Sequence, residues 1–164
     1  MKVKLEDIHL VNLYTPVDID SLQAAKSPVV CLMENFDHAL IVVSFGVPRA
    51  AGVITVNSCD DIVPTTETAI DFPYYRYETS LIIANGDVHG ARTWTTTPAA
   101  GLIPVATGTP AMYVIEVKAA MLVEGDIGFR LCIADPGAAS VGYALGILSG
   151  GRFQDANLTA QAVI

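Results

Sequence analysis

Ala39-Leu40-Ile41-Val42-Val43-Ser44-Phe45, closed by Gly46 and Pro48, and the following Ala51-Gly52-Val53-Ile54-Thr55-Val56-Asn57-Ser58-Cys59 decide the fold. Both runs have strand length and strand composition. Val, Ile and Thr branch at Cβ, which restricts them in a helix but suits a pleated surface. The short Pro/Gly connection between the runs predicts an antiparallel hairpin. Asp60-Asp61 and Pro64 then mark a loop.

The same reading extends downstream. Ala69-Ile70-Asp71-Phe72 is a short strand ended by Pro73. Tyr74 to Ile83 is another, with Tyr75, Tyr77, Thr79 and Leu81 on one face, followed by the turn signal Asn85-Gly86-Asp87. Thr93 to Thr97, around Trp94, predicts a further strand. Residues 98–111 hold Pro98, Gly101, Pro104, Gly108 and Pro110 and are read as loop. Met112 to Val117 alternates as a half-buried antiparallel strand does. Ala119-Ala120-Met121-Leu122 predicts one helical turn closed by Gly125-Asp126. Ile127 to Ala134 and Val141 to Leu148 are the last strands, stopped by Asp135-Pro136-Gly137 and Gly150-Gly151. Upstream, residues 1–37 lack a clear period and are interrupted by Pro16 and Pro28. The expected fold is all-β: an antiparallel β-sandwich or jelly roll of seven to eight strands with an irregular N-terminal arm. Residues 1–34 form that arm or an edge segment, 35–153 the sandwich domain, and 154–164 a C-terminal tail.

Composition narrows the functional classes. The chain has 164 residues, of which 52% are apolar and 16% charged. It is long enough for a real core and too apolar for intrinsic disorder. Its mean hydropathy of +0.47 raises the question of a membrane. The longest apolar stretch, Ala39 to Val47, is broken by Ser44 and Gly46, whereas a spanning helix needs about 20 apolar residues. The N-terminus turns acidic at Glu6-Asp7, where a signal peptide becomes apolar. The chain is therefore expected neither to enter a membrane nor to carry a secretion signal. Nine Lys plus Arg against 17 Asp plus Glu leave a net charge of −8, without a basic run, which argues against nucleic acid as a partner. Cys31, Cys59 and Cys132 are widely spaced and odd in number, which favours free thiols over a zinc site or a disulfide framework. A chain this apolar is expected to bury part of its surface against other subunits as well as within itself.

Several clusters invite a chemical reading. Gly86-Asp87-Val88-His89-Gly90 resembles one metal-binding block of the calcineurin-like metallophosphoesterases. The companion blocks of that family are absent, so a turn is the simpler reading. Asp37-His38 would suit a catalytic pair only with a Ser or Cys nucleophile nearby, and no Gly-x-Ser-x-Gly elbow exists. The hydroxyl-rich runs Thr65-Thr66-Glu67-Thr68 and Thr93 to Thr97 are candidates for sugar or metal contact. The carboxylates Asp60, Asp61, Glu124, Asp126 and Asp135 lie beside turns, without the pattern of a calcium loop. Tyr74, Tyr75, Tyr77 and Trp94 are the candidate interface or platform aromatics. No catalytic residue, cofactor site or metal site is assigned, and the chain is not expected to be an enzyme.

Three stretches carry a family resemblance. The first is Asn35-Phe36-Asp37-His38-Ala39-Leu40-Ile41-Val42-Val43 with Gly52-Val53-Ile54-Thr55-Val56-Asn57. The second is Thr66-Glu67-Thr68-Ala69-Ile70-Asp71-Phe72 leading into Tyr74-Tyr75-Arg76-Tyr77. The third runs from Met112-Tyr113-Val114-Ile115-Glu116-Val117 through Leu122 and Gly128-Phe129-Arg130-Leu131 to Ile147-Leu148-Ser149-Gly150-Gly151-Arg152-Phe153. In order and spacing they resemble small head-associated virion proteins of tailed bacteriophages, of the capsid decoration or cement kind. The resemblance implies a structural protein of the capsid surface, made in the host cytoplasm. Its partners would be the major capsid protein and further copies of itself, with a trimer favoured. Alternatives are a minor head or head–tail component, or a glycan-binding β-sandwich module.

Overall fold

In β3 (Phe36–Phe45) the alternation expected of a strand is realised residue by residue. Ala39, Ile41 and Val43 are fully buried, while Leu40, Val42 and Ser44 between them are half-buried. β8 (Ala111–Lys118) repeats the pattern, with Tyr113, Ile115 and Val117 inward and Met112, Val114 and Glu116 outward. Successive strand residues point to opposite faces, so each strand has a core side and an outer side.

The computed structural model describes residues 8–18, 29–45, 53–78, 93–95, 101, 111–134 and 141–151. Within them the other strands are β1 (His9–Asp18), β2 (Cys31–Leu32), β4 (Ile54–Cys59), β5 (Glu67–Ile70), β6 (Pro73–Glu78), β7 (Thr93–Trp94), β9 (Gly128–Ile133) and β10 (Val141–Gly151). The expected helical turn is a 3-10 turn at Ala119–Met121. All pairings are antiparallel. One sheet has the order β1-β10-β3-β8-β6-β7 and the other β2-β9-β4-β5. The chain is thus an all-β sandwich, with ten described strands where seven to eight were expected; β2 and β7 are only two residues long.

The order has a simple logic. β1 pairs with β10, β2 with β9, β3 with β8 and β4 with β5, and these four pairs fall alternately in the two sheets. A long antiparallel ribbon has been wound around a barrel-like core, which is jelly-roll topology. The β6–β7 pair extends the first sheet beyond β8.

This winding corrects one expectation. β3 and β4 do not form a hairpin: β3 pairs with β10 and β8, and β4 with β5 and β9 in the opposite sheet. Both strands have a complete apolar inner side, so each gains more by facing the other across the core than by lying beside it. Residues 1–34, expected as an irregular arm or edge segment, supply edge strand β1 and the short β2. Val11, Leu13 and Tyr14 of β1 are buried, and the Tyr14 hydroxyl donates to the Leu131 carbonyl of the other sheet at 3.3 Å. Register shifts between Asn12 and Tyr14 and between Tyr14 and Val17 break the alternation that a sequence pattern would reveal. The tail 154–164 lies outside the described residues.

The core between the sheets joins Ile41, Val43, Tyr113, Ile115 and Leu148 of the six-stranded sheet to Ile54, Val56, Phe129, Leu131 and Ile133 of the other. Phe72, in the crossing from β5 to β6, is fully buried and packs edge-on against Tyr74 at 6.5 Å. Each fully buried side chain of this size contributes about 1.5–3 kcal/mol.

Candidate functional site

The second sheet covers only one side of the six-stranded sheet, and no described element lies over the other. Register assembles that outer face in cross-strand rows. Leu10, Ile147, Leu40 and Glu116 form one row, from β1 to β8. Asn12, Leu145, Val42, Val114 and Tyr75 form the next, from β1 to β6. Tyr143, Ser44 and Met112 form a third. The centre of the face is half-buried, whereas at its margins Leu10 is 58% and Tyr143 41% exposed. Leu, Ile and Val therefore occupy the middle of both faces of this sheet. An antiparallel sheet with a solvated face alternates apolar with polar residues instead.

One end of the face is polar. Ser149, His38 and Lys118 form a row there. His38 Nε2 stands 3.1 Å from Glu116 Oε1, Lys118 Nζ 3.3 Å from the same oxygen, and Ser149 Oγ 3.4 Å from His38 Nδ1. The carboxylate at His38 is thus Glu116, from the neighbouring strand. Ser149, His38 and Glu116 follow the order of a nucleophile, base and acid. The chemistry of such a relay also requires donors aimed at a developing oxyanion and a bound substrate. Here the Ser–His contact is long, Glu116 is shared with Lys118, and among the described residues no donor is aimed at a site beside the three. We read the group as a charge-compensated polar border to the apolar face. The sequence points to His38 through Asp37-His38 but not to its partners; the only local sign of Glu116 is a carboxylate two residues after Val114 on the same side of a half-buried strand.

The four nominated aromatics divide between faces. Tyr74 lies opposite Ile115 and turns inward, with its ring 6.4 Å from that of Tyr113. Tyr75 lies opposite Val114 on the outer face. Trp94, 51% exposed, pairs with Pro73 and so shares the face of Tyr75, at the far edge of the sheet. Tyr77 is placed by its backbone opposite Met112; its side chain lies outside the description. Tyr74 and Trp94 therefore do not form one row.

The remaining candidates have structural partners or fall outside the described residues. Asp87, His89 and Asp135 fall outside. Thr95 Oγ1 donates to Asp71 and accepts from the Phe72 N–H, fixing the β5–β6 crossing. The Asp60 carboxylate accepts from Thr65 N, Thr65 Oγ1 and Thr66 N, which holds its pKa below the usual carboxylate range. Asp61 accepts from the Ile62 N–H. Glu67 pairs with Arg130 at 2.6 Å. Ser58 donates to Asp126 and accepts from the Val123 N–H, pinning the segment after the 3-10 turn. An open groove of about 540 Å³ beside it is lined by Met33, Asn35 and Leu122 and by the carboxylates Glu34, Glu124 and Asp126. Among the described residues no three His, Cys, Asp or Glu side chains converge as a metal site, and no helix is long and apolar enough to cross a membrane. The three cysteines are free thiols, with Cys31 and Cys59 buried.

No family model, curated protein or solved structure matches the chain.

Proposed function

We propose that this chain is a structural protein of a tailed-phage head, a decoration or cement protein that binds and stabilises the major capsid shell. The observation that carries the reading is the outer face of the six-stranded sheet, where Leu40, Val42, Val114, Leu145 and Ile147 present a continuous apolar surface. A jelly roll of this size has no need of that surface for its own core, whereas a protein that works within an assembly does. The assignment to a phage head rests on the resemblance across residues 35–153. The acidic charge of −8 suits a protein on the outside of a shell, away from packaged nucleic acid.

The mechanism is mass action. A protein that binds only the assembled shell stabilises it by an amount that grows with occupancy, about 2.7 kcal/mol per site at 100 times the dissociation constant. Each copy that touches two capsid subunits adds contacts that rupture must break.

The test is co-sedimentation of the purified chain with expanded heads lacking it, followed by thermal or osmotic challenge. Saturable binding that raises the rupture temperature is the expected result. A chain that stays in the supernatant at tens of micromolar would overturn the assignment.

A further inference from the structure

We infer that the outer face of the six-stranded sheet closes on a second copy of the same chain, across a two-fold axis, so that the working unit is a face-to-face pair. The inference shares with the function proposed above only the premise that this face is covered within an assembly; a pair closed on it would meet a shell through its other surfaces, and the inference does not require a capsid.

Three observations select a second copy. The first is area. The face runs across five strands, from Leu10 on β1 to Tyr75 on β6, and along β3 from His38 to Ser44. With strands about 4.8 Å apart and a rise of about 3.4 Å per residue, that is a patch of about 20 Å by 20 Å between Cα positions, or about 600 Å² with its bordering side chains. Two such patches bury about 1,200 Å², the lower bound for a specific interface.

The second observation is charge. The chain carries −8, so two copies repel through most of their surface. On this face Glu116 is paired with Lys118 and lies within hydrogen-bond distance of His38, and the apolar side chains of the rows beside it carry no charge. A like-charged copy meets no net charge here. Among the described residues of this face no net charge would attract a basic partner, which the overall acidity would draw elsewhere.

The third is the polar border. If the Ser149–His38 end of one copy lies over Tyr143 and Ser44 of the other, hydroxyls meet the His38–Glu116 pair while the apolar rows meet each other. A face that pairs with itself does so only by two-fold symmetry. A trimer, which the family resemblance favours, would have to use other surfaces. Edge-to-edge pairing through β1 is disfavoured by its two register shifts and by Pro16, which twist and interrupt the edge.

The experiment is light scattering and sedimentation equilibrium of the full chain without heads, from about 1 to 200 µM. The expected mass is twice the 17.3 kDa of the chain. Val42→Asp and Val42→Lys each place a charge near the centre of the face, and each should weaken pairing at least tenfold; mixing the two variants should restore it. A monomer throughout the range, as a covering segment of the same chain or a foreign partner would leave it, overturns the inference without need of any variant. So does a pair or trimer that both folded variants retain. Head binding is measured separately, so a chain that pairs but ignores heads sinks only the capsid assignment.

Discussion

Arg130 on β9 and Glu67 on β5 meet at 2.6 Å across β4, the strand that separates them, and each side chain is only 13% exposed. Asn57 of that intervening strand donates to the second oxygen of Glu67 at 3.1 Å, so the pair is tied to all three strands. Removing one member leaves a nearly buried charge without its partner. Glu67→Ala or Arg130→Ala should cost about 3 kcal/mol, whereas replacing both with Leu and Met should recover most of that loss. Urea unfolding of the three variants measures it.

Gly128 and Gly146 both lie in strands, but they should respond oppositely to alanine. A Cβ on Gly128 would overlap the Cys31 carbonyl oxygen, in the short ladder that holds β2 to β9. Both sides of that contact are backbone, so relief requires β2 to move. Gly128→Ala should lose about 2–3 kcal/mol. A Cβ on Gly146 meets Leu13 and Val11 at 3.5 Å, an ordinary contact. Gly146→Ala should be neutral or gain about 0.5 kcal/mol, because a strand glycine has more freedom to lose on folding. Thermal melts of the two proteins distinguish the cases.

Ile115 and Val114 are neighbours of similar chemistry on opposite faces. Ile115→Ala should cost about 3 kcal/mol through the cavity it leaves between the sheets. Val114→Thr should change the stability of the dilute monomer by less than about 0.5 kcal/mol. Equal losses at both positions would contradict the inner and outer assignment.

Burial pushes the thiols of Cys31 and Cys59 from 9.0 up to about 12, with the Glu67 carboxylate adding to the effect at Cys59, and moves the Tyr14 phenol in the same direction. In the unfolded chain the thiols ionise near their ordinary value. Between pH 9 and 12 the folded state therefore retains protons that the unfolded state releases. The stability these groups contribute is complete below pH 9 and falls as pH rises through that window. Unfolding midpoints at pH 8 and pH 10.5 should show the drop. At pH 8 an alkylating reagent should modify half-exposed Cys132 before the other two.

Composition and alternation were enough to read the fold class from the sequence. Short β-branched runs between Gly, Pro and Asp turns have no stable state except sheet, and strands at 39–45, 51–59, 112–117 and 127–134 emerge from that pattern alone; the structure trims the second and fourth to Ile54–Cys59 and Gly128–Ile133. β1 did not, because two register shifts and a proline interrupt its period. Only the tertiary structure decided which strands lie side by side. The pairs β1·β10 and β3·β8 join residues far apart in the chain, while β3 and β4, consecutive in sequence, part to opposite sheets. The row of Ser149, His38 and Lys118, and the approach of Glu116 to it, are consequences of that pairing. Period-two alternation separates a strand's two sides but does not name the neighbour on either. Where both sides of β3 are apolar, only the position of the second sheet determines which one becomes core and which is left to meet another molecule.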